Sequence, residues 1–201
     1  MVDNPPWFML YSGYPMTRRA AMTTKHHTAV RDMTRCALMA VVLAVCAWIS
    51  IPTTVPFTMQ TFGVFLALGL LGGRLGCRSI LVYVLLGALG APVFHGFTGG
   101  MGILLSGSGG YILSFLLTGL IYWAVTACFG ERPAVMAAAM VLGLAACYAF
   151  GTVWFMAVYA RTAGPIGLGA ALGLCVFPFL LPDAVKLLLA LALSRQLKRL
   201  L

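Results

Sequence analysis

From Cys36 to the last residue the chain is apolar enough to sit in lipid, and its few charges fall almost wholly in short connections. Arg74 and Arg78 flank a glycine-rich turn, Glu131 and Arg132 open another, Arg161 stands in a third, and Arg195, Lys198 and Arg199 close the chain. Two charges break this rule. Asp183 and Lys186 stand at the head of an apolar run, Leu187 to Leu193, that reads as the last membrane helix. A soluble domain of 201 residues needs polar surface that a sequence 62% hydrophobic and 8% charged does not have. The expectation is an all-α integral membrane protein. Its membrane domain covers residues 35–201. Residues 1–34, polar and basic with Pro5, Pro6, Gly13 and Pro15, read as an irregular tail; they hold no apolar core of a signal peptide.

The segment around the two exceptional charges is Phe177-Pro178-Phe179-Leu180-Leu181-Pro182-Asp183-Ala184-Val185-Lys186. Pro182 suits the first position of a helix, where its missing N–H costs nothing. Asp183 then lies at the positive end of the helix dipole. Lys186, three residues on, shares its face. Ionisable residues in membrane segments are functional candidates by default. An acid and a base here suit a small zwitterionic or hydrogen-bonding ligand; the alternative is a structural ion pair.

Six spans follow from the apolar runs. Cys36–Ile51 is the first, with Ala40 and Ala44 on one face where another helix can approach closely. Thr58–Leu71 is a short second span whose one strongly polar group, Gln60, either faces a ligand or bonds a neighbouring helix. Gly72-Gly73-Arg74-Leu75-Gly76-Cys77-Arg78 is a basic turn before the third span, Ser79–Ala91. Pro92 to Gly110 is long and rich in glycine, the composition of a lid. Tyr111–Phe129 is the fourth span, Ala134–Tyr159 contains the fifth, and a glycine-rich connection from Arg161 to Gly173 leads towards the sixth, from about Pro182 to Leu197. With six spans both termini share a side. The basic tails and the Arg74/Arg78 and Arg132 turns then fall on one face, which places both termini in the cytoplasm. The Asp183–Lys186 mouth and the Pro92–Gly110 loop fall on the outer face.

Several function classes are disfavoured. The +9 net charge is distributed as a positive-inside pattern and no nucleic-acid motif accompanies it. The cysteines, scattered singly through apolar runs, form neither a C-x-x-C pair nor a metal set. Neither Ser106 nor Ser108 lies in a Gly-x-Ser-x motif. His95 reads as a loop residue rather than a base, so no hydrolytic triad assembles and the chain is read as a non-enzyme. No G-x-x-x-x-G-K-[ST] occurs, so ATP-driven transport would need a borrowed ATPase.

These motifs together resemble one family. Val55-Pro56-Phe57-Thr58-Met59-Gln60-Thr61, Gly72-Gly73-Arg74-Leu75-Gly76, Tyr83 with Gly87 and Gly90, Pro92-Val93-Phe94, Gly109-Gly110-Tyr111 and Phe177 through Lys186 are similar to the BioY family. Its members are the biotin-binding S components of energy-coupling-factor (ECF) transporters. The likeness runs from about Arg35 to Leu201. It implies a six-helix bundle of the S-component type that takes biotin from outside, with no cofactor or metal of its own. It also implies docking, through first-helix small residues matched here by Ala40 and Ala44, on a T component carrying two ATPase subunits in a bacterial cell membrane. The implied site comprises Asp183, Lys186, Tyr111, Gly109, Gly110, Phe57, Gln60 and Phe94. Two loops depart from the family pattern: Leu181-Pro182-Asp183 replaces Pro-Gly-Asp, and Ser106-Gly107-Ser108 replaces Gly-Pro-Thr. Other readings are an S component for a different vitamin, a stand-alone facilitator for a small organic acid, and a ligand-free scaffold.

Overall fold

The computed structural model describes residues 17–53 and 55–199. The chain divides into two units, Met1–Thr34 and Arg35–Leu201. In the first, the described residues are helical from Thr17, where the sequence reads as irregular. Residues 1–16 of the expected tail lie outside the described residues. The second unit is a helical bundle, and the site lies within it.

Helix α1 (Thr17–Trp48) buries Met39, Ala40, Leu43, Ala44 and Ala47 on one stripe. Leu38, Val41 and Val45 face outward, as lipid rather than water requires. Two short antiparallel strands follow, β1 (Ser50–Ile51) and β2 (Phe57–Thr58), in the register Ser50 to Thr58 and Ile51 to Phe57. This hairpin stands where the sequence reads an uncharged break and the start of a second span.

Helix α2 (Gln60–Ala88) is a single element by its hydrogen bonds but is broken at Gly72, whose φ of 76° and ψ of 175° are not helical. Only glycine adopts such a conformation without strain. The chain doubles back there. A Cβ placed on Gly76 would lie 3.0 Å from the Leu68 Cα, whereas eight residues along a straight helix are about 12 Å apart. The two arms match the second and third expected spans, joined by the expected glycine-rich turn.

The Pro92–Gly110 segment is ordered into a 3₁₀ turn (His95–Phe97) and a one-turn helix α3 (Met101–Leu104). Phe94 and Thr98 form an isolated bridge around the 3₁₀ turn. Helices α4 (Gly109–Phe129), α5 (Pro133–Thr162), α6 (Leu168–Cys175) and α7 (Phe177–Lys198) complete the bundle. α2 packs on α4 and α7, and α4 on α5. Among the described residues four helices, α2, α4, α5 and α7, are long and apolar enough to cross a membrane. The apolar core runs between them, from Leu43 through Phe65 and Ile80 to Met140 and Ala190.

One expectation is corrected here. α7 begins at Phe177, with Pro178 in its first turn and Pro182 inside the helix. α6 leads into it through Val176 alone, so the proline that suits the helix start is Pro178. Asp183 therefore stands nearly two turns into the helix, beyond the reach of the N-terminal dipole. Side-chain partners, not the dipole, hold it.

Candidate functional site

Asp183 and Lys186 are buried, at 2% and 4% exposure, on the inward face of α7. Lys186 Nζ donates to Asp183 Oδ1 at 2.7 Å. The spacing of three residues allows this contact on any helix; what makes it tolerable in the interior is the remaining shell. Thr61 Oγ1, from the first turn of α2, donates to Asp183 Oδ1 at 2.9 Å. Tyr148 OH, from the middle of α5, donates to Oδ2 at 2.7 Å. Lys186 Nζ donates a second bond to the Thr58 carbonyl at 2.7 Å and sits 4.2 Å from the centre of the Phe57 ring. Three donors on the carboxylate, and an acceptor plus an aromatic face on the ammonium, give the compensation that buried charges demand.

The network continues through the start of α2. Thr58 Oγ1 donates to Gln60 Oε1 at 2.9 Å, and Gln60 Nε2 donates to Tyr83 OH at 2.6 Å, across to the second arm of the hairpin. Gln60 therefore bonds the second arm of α2 and also lines the cavity. The break at Gly72 makes this possible, because it lays the arms side by side.

Thr58, Gln60, Thr61, Tyr148, Asp183 and Lys186 line one cavity, whose empty space with its open mouth is about 530 Å³. Its walls are Val55 and Pro56 of the β1–β2 turn, Ile112 and Phe115 of α4, and Cys175 and Phe179 from α6 and α7. Tyr111 also lines it, with its hydroxyl 3.0 Å from Thr152 Oγ1. So do His95 and Ser108 of the ordered loop.

Of the sequence-derived residues, Asp183, Lys186, Gln60 and Tyr111 converge on this cavity. Phe57 stands beside it, stacked on Phe179 with ring centres 5.9 Å apart and covering Lys186. Phe94, Gly109 and Gly110 do not line it. Phe94 is fully buried against Gly87, edge-on to Tyr83, and so backs the residue that Gln60 bonds. Gly109 lies against the Leu104 carbonyl and Gly110 against Trp154, at separations no side chain would permit. Their place is to let α4 start close under the loop and so set Tyr111. Ala40 and Ala44 stand apart from this cavity. They are buried in this chain's own core. The face they mark packs within the chain's own core.

Sequence reasoning missed Thr61, Tyr148, His95 and Ser108 as lining residues. Thr61 is adjacent to Gln60, and Tyr148 is a phenol within the apolar run of α5, but neither carries a spacing that links it to Asp183. His95 was visible only as a loop residue.

A helical membrane protein with a charge-bearing cavity lined in part by an ordered loop is thereby defined. Comparison with known proteins narrows it. The BioY family model matches residues 17–201. The biotin transporter BioY of Thermotoga maritima is 36% identical over 172 residues, covering 85% of this chain and 98% of that protein. The probable biotin transporter BioY of Pyrococcus horikoshii is 37% identical over 169 residues, covering 84% and 96%. The crystal structure of the S-component for biotin from an ECF-type ABC transporter superposes with a TM-score of 0.76 at 24% identity, over 86% of this chain and 93% of that one. The chain belongs to the BioY family, a family of multi-pass membrane transporters, and has the S-component fold.

Proposed function

We propose that this chain is the substrate-binding S component of a biotin uptake transporter. It captures biotin from the outer side and delivers it through a T component and two ATPase subunits. The names of its relatives support the ligand. The observation that carries the reading is the buried Asp183–Lys186 pair lining an apolar-walled cavity. In this reading α1 and the two arms of α2 each cross the membrane, making six spans, and both termini share the basic, cytoplasmic side.

Biotin offers a carboxylate, a ureido ring with two N–H donors and one carbonyl, and an apolar ring and chain. Lys186 spends two N–H donors on Asp183 and Thr58; the third takes the ligand carboxylate as a charge-assisted hydrogen bond. Asp183 holds the ammonium in place. Phe179, Phe115 and Tyr111 receive the apolar ring and chain. Closure of the β1–β2 turn and the Pro92–Gly110 loop over the cavity excludes water and strengthens each polar contact.

Isothermal titration of the detergent-purified chain with biotin tests this. Saturable binding that Lys186→Ala abolishes in a folded protein is the expected result. No binding by the folded wild-type chain overturns the ligand assignment. Uptake by the purified chain alone in vesicles, without ATPase subunits, overturns the S-component role.

A further inference from the structure

The cavity holds a second polar cluster that the Asp183–Lys186 network does not touch. His95 Nε2 lies 3.3 Å from Ser108 Oγ, and Ser108 Oγ lies 3.1 Å from Ser106 Oγ. His95 and Ser108 both line the cavity. Among the described residues no hydrogen bond joins this trio to Asp183, Lys186, Gln60 or Tyr148. The two clusters differ in kind. One carries fixed charges of both signs. The other consists of groups that each donate and accept.

We propose that His95 and Ser108 form the second polar pole of this cavity and take the uncharged, cyclic-urea end of the ligand, whose carboxylate lies at Lys186. The inference rests on the biotin reading above and deepens it. A cyclic urea presents two N–H donors that need acceptors from its site, and this trio is a neutral set, apart from the charged pair, that can offer one. The hydroxyl of Ser106 is committed to the Ile103 carbonyl at 2.6 Å, so it accepts from Ser108. Ser108 in turn accepts from His95 Nε2–H. This order of donors assigns the tautomer and leaves the imidazole Nδ1 as an acceptor for a ureido N–H. Burial lowers the His95 pKa below its ordinary value, which keeps the ring neutral and that acceptor present. The other titratable groups lining the cavity are Asp183, Lys186, Tyr111, Tyr148, Cys147 and Cys175. None of them is hydrogen-bonded to His95 among the described residues.

The test uses the full chain, titrated at neutral pH with biotin and with biotin amide, which keeps the urea but lacks the acid. His95→Ala and Ser108→Ala are each expected to weaken both ligands about tenfold. His95→Gln, whose amide both donates and accepts, is expected to recover part of the loss. Lys186→Ala is expected to weaken biotin far more than the amide. Wild-type affinity for both ligands in His95→Ala and Ser108→Ala overturns the proposal and leaves the biotin reading standing. A His95→Ala penalty for biotin that vanishes for the amide also overturns it, because the pole then reads the carboxylate. A wild-type chain that binds neither ligand overturns both readings.

Discussion

Two ion pairs of the same chemistry sit in very different settings. Lys186–Asp183 is 2.7 Å long with both side chains at 5% exposure or less. Lys198–Glu131 is 2.9 Å long with the partners 36% and 49% exposed. The exposed pair joins the end of α7 to the α4–α5 turn by one bond, and water serves either partner as well if that bond is lost. The buried pair is the centre of a shell drawn from β2, α2, α5 and α7. Distance alone does not separate them; the shell does. A charge buried so thoroughly is costly to keep, and that cost is what makes the pair a functional-site candidate.

Substitutions sharpen the contrast, beginning with the most damaging. Asp183→Ala leaves Lys186 buried against a carbonyl and a ring, with no counter-charge. We expect a loss of about 3–5 kcal/mol in stability, read as a large fall in melting temperature in detergent, together with loss of biotin binding. Gly87→Ala drives a methyl group into the Phe94 ring. Overpacking of this kind costs about 1–3 kcal/mol, and the same melting measurement reads it. Tyr148→Phe removes one of three donors to Asp183 and is expected to cost about 1–2 kcal/mol, with a measurable weakening of biotin. Lys198→Ala breaks the exposed pair and is expected to change stability by less than about 1 kcal/mol and biotin affinity not at all. A loss at Lys198 equal to that at Asp183 would erase the distinction between the pairs. The smallest effect concerns pH. Protonation of His95 removes its acceptor nitrogen, and burial lowers the pKa at which this happens. Biotin affinity should therefore hold at neutral pH and fall modestly on acidification below the ordinary imidazole range near 6.5, with the fall absent in His95→Gln.

The contrast also explains what the sequence made legible. Asp183 and Lys186 stood out because nothing near them is charged, and their spacing announced a shared helix face. The reversal at Gly72 was legible in the glycine-rich basic turn, since few other sequences interrupt so apolar a run. The start of α7 was not, because two prolines compete for it. Pro178 occupies the first turn, and the bundle tolerates Pro182 in the helix interior. Tyr148 and Thr61 reach Asp183 from 35 and 122 positions away, and no local pattern records such a meeting. Ala40 and Ala44 teach the converse. Small residues on one helix face announce close approach, but the pattern does not say whose helix approaches. Here both alanines lie in the chain's own core.

The central claim is that the Asp183–Lys186 cavity binds biotin through the lysine. Calorimetric titration of biotin into the wild-type chain and into Lys186→Ala, each first shown to melt cooperatively, tests it most directly. The account predicts tight binding by the wild type and a loss of at least about a hundredfold in the variant, the effect of removing a buried charge-assisted hydrogen bond. Equal affinity in a folded Lys186→Ala protein would contradict it.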